Sequence, residues 1–355
     1  MGTDFDAGTA IAVVGATGHT GRFVTGELRR RGAEVVALGR DLGSLVSAGF
    51  DTERTCRVVD VSDVASIADA LEGAAAVINC AGPFFDTASN VIEAALRSGT
   101  HYLDVAPEQA VVRSVFEGFE EKARGAGVAV LPAAAFYGGL ADLLATAVVP
   151  LGEIDEIVVA VGLDSWHPTR GTRLTGERNV VPRVVVRNGF LVEPDAVSEP
   201  KRWDFPSPIG SRQVVGLPLS EIITISSHLD AGRIDSVMNL EPLDDLRDAE
   251  TPPPLPIDGL GRSAQTFAME VVVSSGGKRR RATAVGQDIY FVSAPIVVEA
   301  AARLVSGTTA SPVGVHALGS AFDARSFLDS FDEEVVRISY SRVENVMLQK
   351  DGIDA

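Results

Sequence analysis

Cysteine is nearly absent from the chain. Two thiols in 355 residues, Cys56 and Cys80, cannot build a disulfide framework, so the fold must rest on an apolar core. Lysine is also scarce, confined to Lys122, Lys201, Lys278 and Lys350, and nearly every cationic side chain is an arginine. The five histidines, His19, His101, His167, His228 and His316, lie too far apart for ligand spacing, and no metal is expected. No apolar run is long enough to cross a bilayer, and Met1 to Gly8 has neither the basic stretch nor the apolar segment of a signal peptide. A cytoplasmic protein is the expectation. Positive charge is outweighed throughout: the formal net charge of -17 argues against nucleic acid or an anionic membrane as a partner, since both would repel the chain.

What is abundant is apolar. Hydrophobic residues make up 46% of the chain, enough for a sizeable core, and the length exceeds what one ordinary core fills. The pattern divides into residues 1–150, 151–290 and 291–355. The last part is expected to pack back on the first through a helix over 294–305.

The first part is organised around Val13-Val14-Gly15-Ala16-Thr17-Gly18-His19-Thr20-Gly21. Ile11 to Val14 is a short β-branched run, the kind of strand that is buried on both faces of a parallel sheet. Gly15 allows a sharp turn, Gly18 a close approach of backbone N–H groups to a pyrophosphate, and Gly21 tight packing of the next helix. That helix runs to about Arg31, and its N-terminus suits an anion. Strand, glycine loop and helix in this order read as a dinucleotide site formed by Gly15, Thr17, Gly18, His19, Thr20 and Gly21.

Further strands are expected at Glu34 to Leu38, Arg57 to Val61, Ala76 to Asn79, His101 to Val105 and Val128 to Leu131, with helices between them. The alternation gives an α/β fold, a Rossmann-type doubly wound parallel sheet. Arg40 ends the second strand, where an acid would accept from a ribose 2′-OH and an arginine pairs with a 2′-phosphate. NADP(H) is therefore expected, and NAD(H) is disfavoured. Asp60 and Val61 lie where such folds meet the adenine, and Ser62 or Asp63 caps the following helix. The small residues of Asn79-Cys80-Ala81-Gly82-Pro83-Phe84 let backbone approach the cofactor. Cys80 itself reads as a packed thiol, since no base is near it in sequence.

The motifs at 15–21, Gly39-Arg40, Asn79 to Phe84 and His101-Tyr102-Leu103-Asp104-Val105 together resemble the saccharopine-dehydrogenase-like reductases, a group that includes proteins described as trans-acting enoyl reductases. The resemblance covers residues 8–145 and is fainter around Tyr290 to Pro295 and Pro312 to Asp323. It implies that Gly15 to Gly21 and Arg40 bind the adenosine phosphates and that Asn79 to Phe84 lie beside the nicotinamide. Pro107-Glu108 departs from the relatives' pattern of a small residue before the Glu. Short-chain dehydrogenases share the glycine loop, but their chemistry needs a Tyr four residues ahead of a Lys. Tyr102, Tyr137, Tyr290 and Tyr340 all lack one.

From Glu156 the pattern changes to strand-like runs at 157–161, 181–186, 192, 221–226, 236–240, 266–273 and 281–285. They read as a second α+β domain on a mostly antiparallel sheet. Asp244 to Gly261, with Pro252-Pro253-Pro254 and Pro256, is expected to be an exposed flap that cannot join a sheet. Lys278 to Arg281 follows Gly276-Gly277 and reads as part of a hairpin turn.

The chemistry is less legible. Tyr137 and Asp142 follow the sixth strand, at the end of the sheet where ligands bind, and each has a plain packing or capping alternative. His167 follows the first companion strand and could move a proton near neutral pH, while Arg170 and Arg173 could hold a substrate carboxylate or phosphate. His228 is a weaker candidate. The resemblance implies an NADPH-dependent oxidoreductase passing a hydride to a small organic acceptor, with the choice between C=N and activated C=C left open. A carbonyl reductase and a non-catalytic NADP-binding regulator are the alternatives. A homodimer through the companion sheet is suggested by the family alone.

Overall fold

The computed structural model describes residues 2–50, 55–194, 199–306, 312–341 and 344–345. Parts of the expected C-terminal segment, residues 307–311, 342–343 and 346–355, lie outside it. The chain opens with β1 (Ala10–Val14), α1 (His19–Arg30), β2 (Glu34–Gly39), α2 (Leu42–Ser47), β3 (Cys56–Val58), α3 (Val64–Ala70) and β4 (Ala76–Asn79). It continues through α4 (Phe84–Ser98), β5 (His101–Asp104), α5 (Gln109–Ala126) and β6 (Ala129–Leu131). A π-helical turn at Phe136–Leu140 then leads into α6 (Ala141–Val148).

These strands form a parallel sheet. Its order is β15-β6-β5-β4-β1-β2-β3, seven strands among the described residues, the outermost being β15 (Gly314–Val315) from much later in the chain. The period-2 alternation of β1 explains why both faces are covered. Ile11 and Val13 join a core with α1 and α10 (Ile289–Val305), whereas Ala12 and Val14 face Ile67, Val91 and Val115 of α3, α4 and α5. The expected doubly wound sheet is thus present, and the helix read over 294–305 begins earlier, packs on α1 and returns the chain to this sheet.

The rest is built from β7 (Ile154–Leu163), α7 (Arg170–Arg178), β8 (Val185–Arg187), β9 (Phe190–Val192), β10 (Lys201–Asp204), β11 (Ser211–Gly216) and α8 (Glu221–Ser226). Then come β12 (Ala231–Asn239), α9 (Glu241–Arg247), β13 (Thr266–Ser275), β14 (Lys278–Gln287), α11 (Leu318–Ala321), α12 (Ala324–Leu328), β16 (Val336–Tyr340) and β17 (Glu344–Asn345). The second sheet runs β10-β11-β12-β7-β13-β14-β16. All of its pairings are antiparallel except β12 with β7. One apolar cluster continues from Val13 through Leu144 of α6 and Val297 of α10 to Val159 and Val271, so the two sheets share a core.

Several boundaries move. The segment 221–226, expected as a strand, is helix α8: Ile222 and Ile225 are fully buried, and packing against α5 and α6 outweighs the β preference of three isoleucines. Of 181–186 only the end is strand, and α4 starts at Phe84 rather than near Thr87. Lys278 to Arg281 lies inside β14, after the Gly276-Gly277 turn. Of the expected flap, Asp244 to Arg247 belongs to α9, and residues 248–261 carry no strand or helix.

Candidate active site

The glycine loop sits at the carboxyl end of β1. Gly15 adopts φ +77°, and a Cβ there would stand 3.0 Å from the Ala81 amide nitrogen. A Cβ on Gly21 would fall 2.1 Å from the Gly15 carbonyl oxygen, closer than any real contact, so α1 can rest on the loop only with glycine at this place. The Gly18 amide closes the turn on Gly15 O at 2.9 Å and stands at the N-terminus of α1. Thr17 and Thr20 flank it, partly exposed. The cradle therefore fits a bound pyrophosphate: small, concave and lined by backbone at a helix N-terminus. His19 turns the other way. Its ring stacks edge-on against Phe23 and Tyr290, burial pushes its pKa down, and its Nε2 has no hydrogen-bond partner among the described residues.

Arg40 is exposed at the end of β2. Its charge reaches Asp60, whose carboxylate accepts from the Ser62 amide and hydroxyl at 2.9 and 2.8 Å, and all three contributions hold Asp60 below its usual range. Val61 O accepts from Asn90 at 3.0 Å, and Asp63 rather than Ser62 caps α3.

The loop after β4 is fixed from within. Asn79 Oδ1 accepts from the Ala81 amide at 3.0 Å, and its Nδ2 donates to Thr87 Oγ1, which in turn donates to Ala81 O at 2.7 Å. Gly82-Pro83 is a cis peptide, and the amide of Phe84 donates to Glu108 Oε1 at 3.3 Å. Burial pushes the Cys80 thiol up, which keeps it unionised and agrees with a packing role. At the end of β5, Asp104 accepts from the Tyr102 hydroxyl at 2.8 Å and from the amides of Ala106 and Ala133 at 2.9 and 2.7 Å. Ala133 has φ +53°, a conformation non-glycine residues seldom adopt, and the Asp104 carboxylate braces it.

Beyond this loop, three segments bring together four buried polar atoms that lack partners among the described residues: Glu108 Oε2, Tyr137 Oη, Ser220 Oγ and Glu221 Oε2. Hydrogen bonds between the segments set the arrangement. The Ser220 amide donates to Pro107 O at 3.0 Å, and Gln109 exchanges two hydrogen bonds with the Val184 backbone, at 2.8 and 2.9 Å, which places Arg183 nearby. The Leu219 amide donates to Glu221 Oε1 at 2.8 Å. Burial pushes the carboxyls of Glu108 and Glu221 up, Glu108 to about 7, and pushes the Arg183 guanidinium down despite Glu221 beside it. A small cavity bordered by Gln109, Asn179, Arg183 and Leu219 opens next to them. Native proteins rarely leave buried polar groups unpaired, and a cluster of them marks a place where a ligand completes the set.

Helix α7 covers this cluster. It has no buried residue of its own and is held by polar contacts: Thr169 caps it, Thr172 bonds the Tyr290 hydroxyl at 2.9 Å, and Arg178 pairs with Asp86 of α4 at 3.5 Å. Thr175 comes against the Gly82 turn, 3.2 Å from where a Cβ on Gly82 would stand. Trp166 donates to the same Tyr290 hydroxyl and lies 6.2 Å from the Tyr137 ring.

The residues expected at the site separate into two sets. The glycine loop meets the Asn79 to Phe84 turn at Ala81, and Tyr137 is linked to the loop's His19 through Trp166 and Tyr290. Asp142, although fully buried, has both oxygens engaged, one by His228 Nε2 at 2.6 Å and one by the Gly319 amide at 2.6 Å. His167 meets Pro252 O at 3.2 Å, Arg173 donates to Asp248 O and Thr251 O, and Arg170 is exposed. These three face the 248–261 flap or solvent. Glu108, Arg183, Ser220 and Glu221 had not been singled out as site residues. Pro107-Glu108, an oddity of pattern, was the only signal in the sequence.

Comparison with known proteins agrees with the nucleotide half. Residues 11–131 match the family model described as saccharopine dehydrogenase NADP binding domain. A saccharopine dehydrogenase-like oxidoreductase from Bos taurus is 28% identical over 152 residues, covering 38% of this chain and 35% of that protein; the one from Homo sapiens is 27% identical over 154 residues with the same coverage. The chain thus spans about a third of the length of the curated relatives it matches. The apo histidine-tagged saccharopine dehydrogenase (L-Glu forming) from Saccharomyces cerevisiae shares the fold, with a TM-score of 0.64 over 94% of this chain and 100% of that one, at 12% identity. The resemblance read from the motifs holds, and NADP(H) is the nucleotide of this domain type.

Proposed function

We propose that the chain is an NADP(H)-dependent oxidoreductase acting on a small organic acceptor with a C=N or activated C=C bond. In this reading residues 1–150 hold the nucleotide, 151–290 wall off the acceptor and 291–355 pack back on the first part. The backbone of Gly15 to Gly21 receives the pyrophosphate, with Thr17 and Thr20 around it and His19 contributing its backbone N–H while its ring packs on Phe23 and Tyr290. Arg40 pairs with the 2′-phosphate, Asp60 and Val61 border the adenine, and Asn79, Cys80, Ala81, Gly82, Pro83 and Phe84 face the nicotinamide. When bound, NADPH supplies the hydride.

The observation that carries the reading is that one turn joins the two halves of the site: Ala81 packs on Gly15 of the cradle, and the Phe84 amide bonds Glu108 of the buried, unsatisfied cluster. Tyr137, Ser220, Glu221 and Glu108 offer hydrogen bonds to an acceptor, and α7 with Trp166 keeps water from it. Asp142, His167, Arg170 and Arg173 support this site indirectly, through α6, α7 and the 248–261 flap. Reduction of a carbonyl would use the same groups. A regulator without turnover would have no use for so many unsatisfied groups beside the nucleotide.

Titration of the whole protein with NADPH and with NADH, followed by nicotinamide fluorescence, tests the reading. NADPH is expected to bind, and Arg40→Ala to weaken it about tenfold or more through loss of a charge-assisted contact, with NADH little affected. Failure of both nucleotides to bind would overturn it.

A further inference from the structure

Glu108 and Glu221 are each half satisfied, and of the two Glu108 is the one tied to the Asn79 to Phe84 turn. Its side chain is fully buried, one oxygen takes the Phe84 amide of the Gly82-Pro83 turn, and the other has no partner among the described residues. The groups facing it are few and mostly neutral. Asp104 lies on β5 with its own oxygens occupied, and the Thr175 hydroxyl of α7 lies close enough to favour the charged form, though by less than burial disfavours it. Across Pro107 come Ser220 and Glu221 of the α8 segment, and Arg183 is turned toward Glu221 and Tyr137. No cation among the described residues pairs with Glu108 directly. A carboxyl in such a place keeps its proton until a positive charge arrives.

Resting on the proposed function, and on the Asn79 to Phe84 turn facing the nicotinamide, we infer that Glu108 is the proton-exchanging group of the site, neutral beside the reduced nucleotide and ionised beside the oxidised one. The nicotinamide ring is uncharged in NADPH and carries a positive charge in NADP⁺, and the Phe84 turn couples that ring's surroundings to Glu108. On ionisation the Oε2–H bond breaks. The proton passes to the acceptor atom that needs it, or to water when no acceptor is bound, and the carboxylate left behind is reprotonated from solvent as the oxidised nucleotide leaves. Its position suits this exchange at neutral pH, because burial has already raised the group to about 7.

Proton release in weakly buffered solution near pH 7, followed with a pH indicator as each nucleotide is added, tests the assignment. The 2′-phosphate is common to NADP⁺ and NADPH, so the difference between them isolates the ring charge. NADP⁺ is expected to release about half a proton more per site than NADPH, and Glu108→Gln to abolish the difference while still binding NADPH. Equal release by the two nucleotides, or a difference that survives in the variant, would overturn the assignment. The wild-type protein gives a second measurement that needs no variant. As pH falls below 7, NADP⁺ affinity should fall more steeply than NADPH affinity, the difference between them approaching about tenfold per unit; parallel pH profiles would overturn the inference. If neither nucleotide binds, the proposed function fails with it, whereas binding without proton linkage removes Glu108 alone.

Discussion

Two groups of buried carboxylates divide the molecule. On the seam between α1 and α10, Glu299 is surrounded: Thr3 donates to both oxygens, Arg303 reaches one at 2.7 Å and Arg31 the other. Burial alone would raise its pKa, but these partners more than offset it and hold the carboxyl below its usual range. At the mouth of the parallel sheet, Glu108 and Glu221 are as deeply buried, and burial prevails. The same chemical group holds helices together in one place and, in the proposed function, waits for a ligand in the other. Partners, not depth, decide which.

Removing Glu299 should have the largest effect. Glu299→Ala takes from the buried Arg31 one of its two carboxylate partners, leaving Glu27 at 2.6 Å, and is expected to lower the unfolding free energy by about 3 kcal/mol in urea titration; a loss below about 1 kcal/mol would dissolve the contrast. His228, held by Asp142, is intermediate. Burial lowers its pKa, but the Asp142 bond prevails and raises it above 6.5. The charged pair therefore stabilises fully below pH 6.5 and loses its contribution as pH rises through the raised value. His228→Gln should cost roughly 1–2 kcal/mol at pH 6, with the gap to wild type narrowing by pH 9 in thermal unfolding.

The smallest effect has the opposite sign. Glu108 keeps its proton to about pH 7 when folded but releases it near 4.5 when unfolded, so the folded state loses stability across that window as pH rises. Glu108→Gln escapes this loss and should be more stable than wild type by about 1 kcal/mol at pH 8, after allowance for relaxation around the charge. The gain should vanish at pH 4.5. A variant that is less stable than wild type at both pH values would place Glu108 with Glu299 among the framework carboxylates.

What could be read from the sequence was whatever is local. The turn at Gly15, the helix packed on Gly21 and the arginine ending β2 each state a backbone or charge requirement within a few residues. Strands β1, β4 and β6 were legible because burial on both faces demands continuous apolar runs. Helix α7 was not, since Arg170–Arg178 has no apolar stripe and takes its position from Tyr290 and Asp86. Strands β10 and β11 were missed because they are short and largely polar, β10 forming the sheet edge and β11 lying next to it. Helix α8 was mistaken because its isoleucines answer to the surrounding core and not to their own preference. Of the cluster, Tyr137 is legible from its place after the sixth strand and Glu108 only as an oddity of pattern, whereas Arg183, Ser220 and Glu221 leave no local signal: the topology alone brings them to the others.

The position of β15 has a consequence for how the protein is made. The outer strand of the nucleotide-binding sheet, and helix α10 that covers α1, are synthesised more than 150 residues after β6. A nascent chain that has emerged only through α6 would present an open sheet edge and the uncovered apolar side of α1 to the cell. Folding of the first half must then wait for the second, or proceed with a chaperone over the gap. A fragment cut after residue 150 should accordingly aggregate rather than behave as a portable nucleotide-binding module.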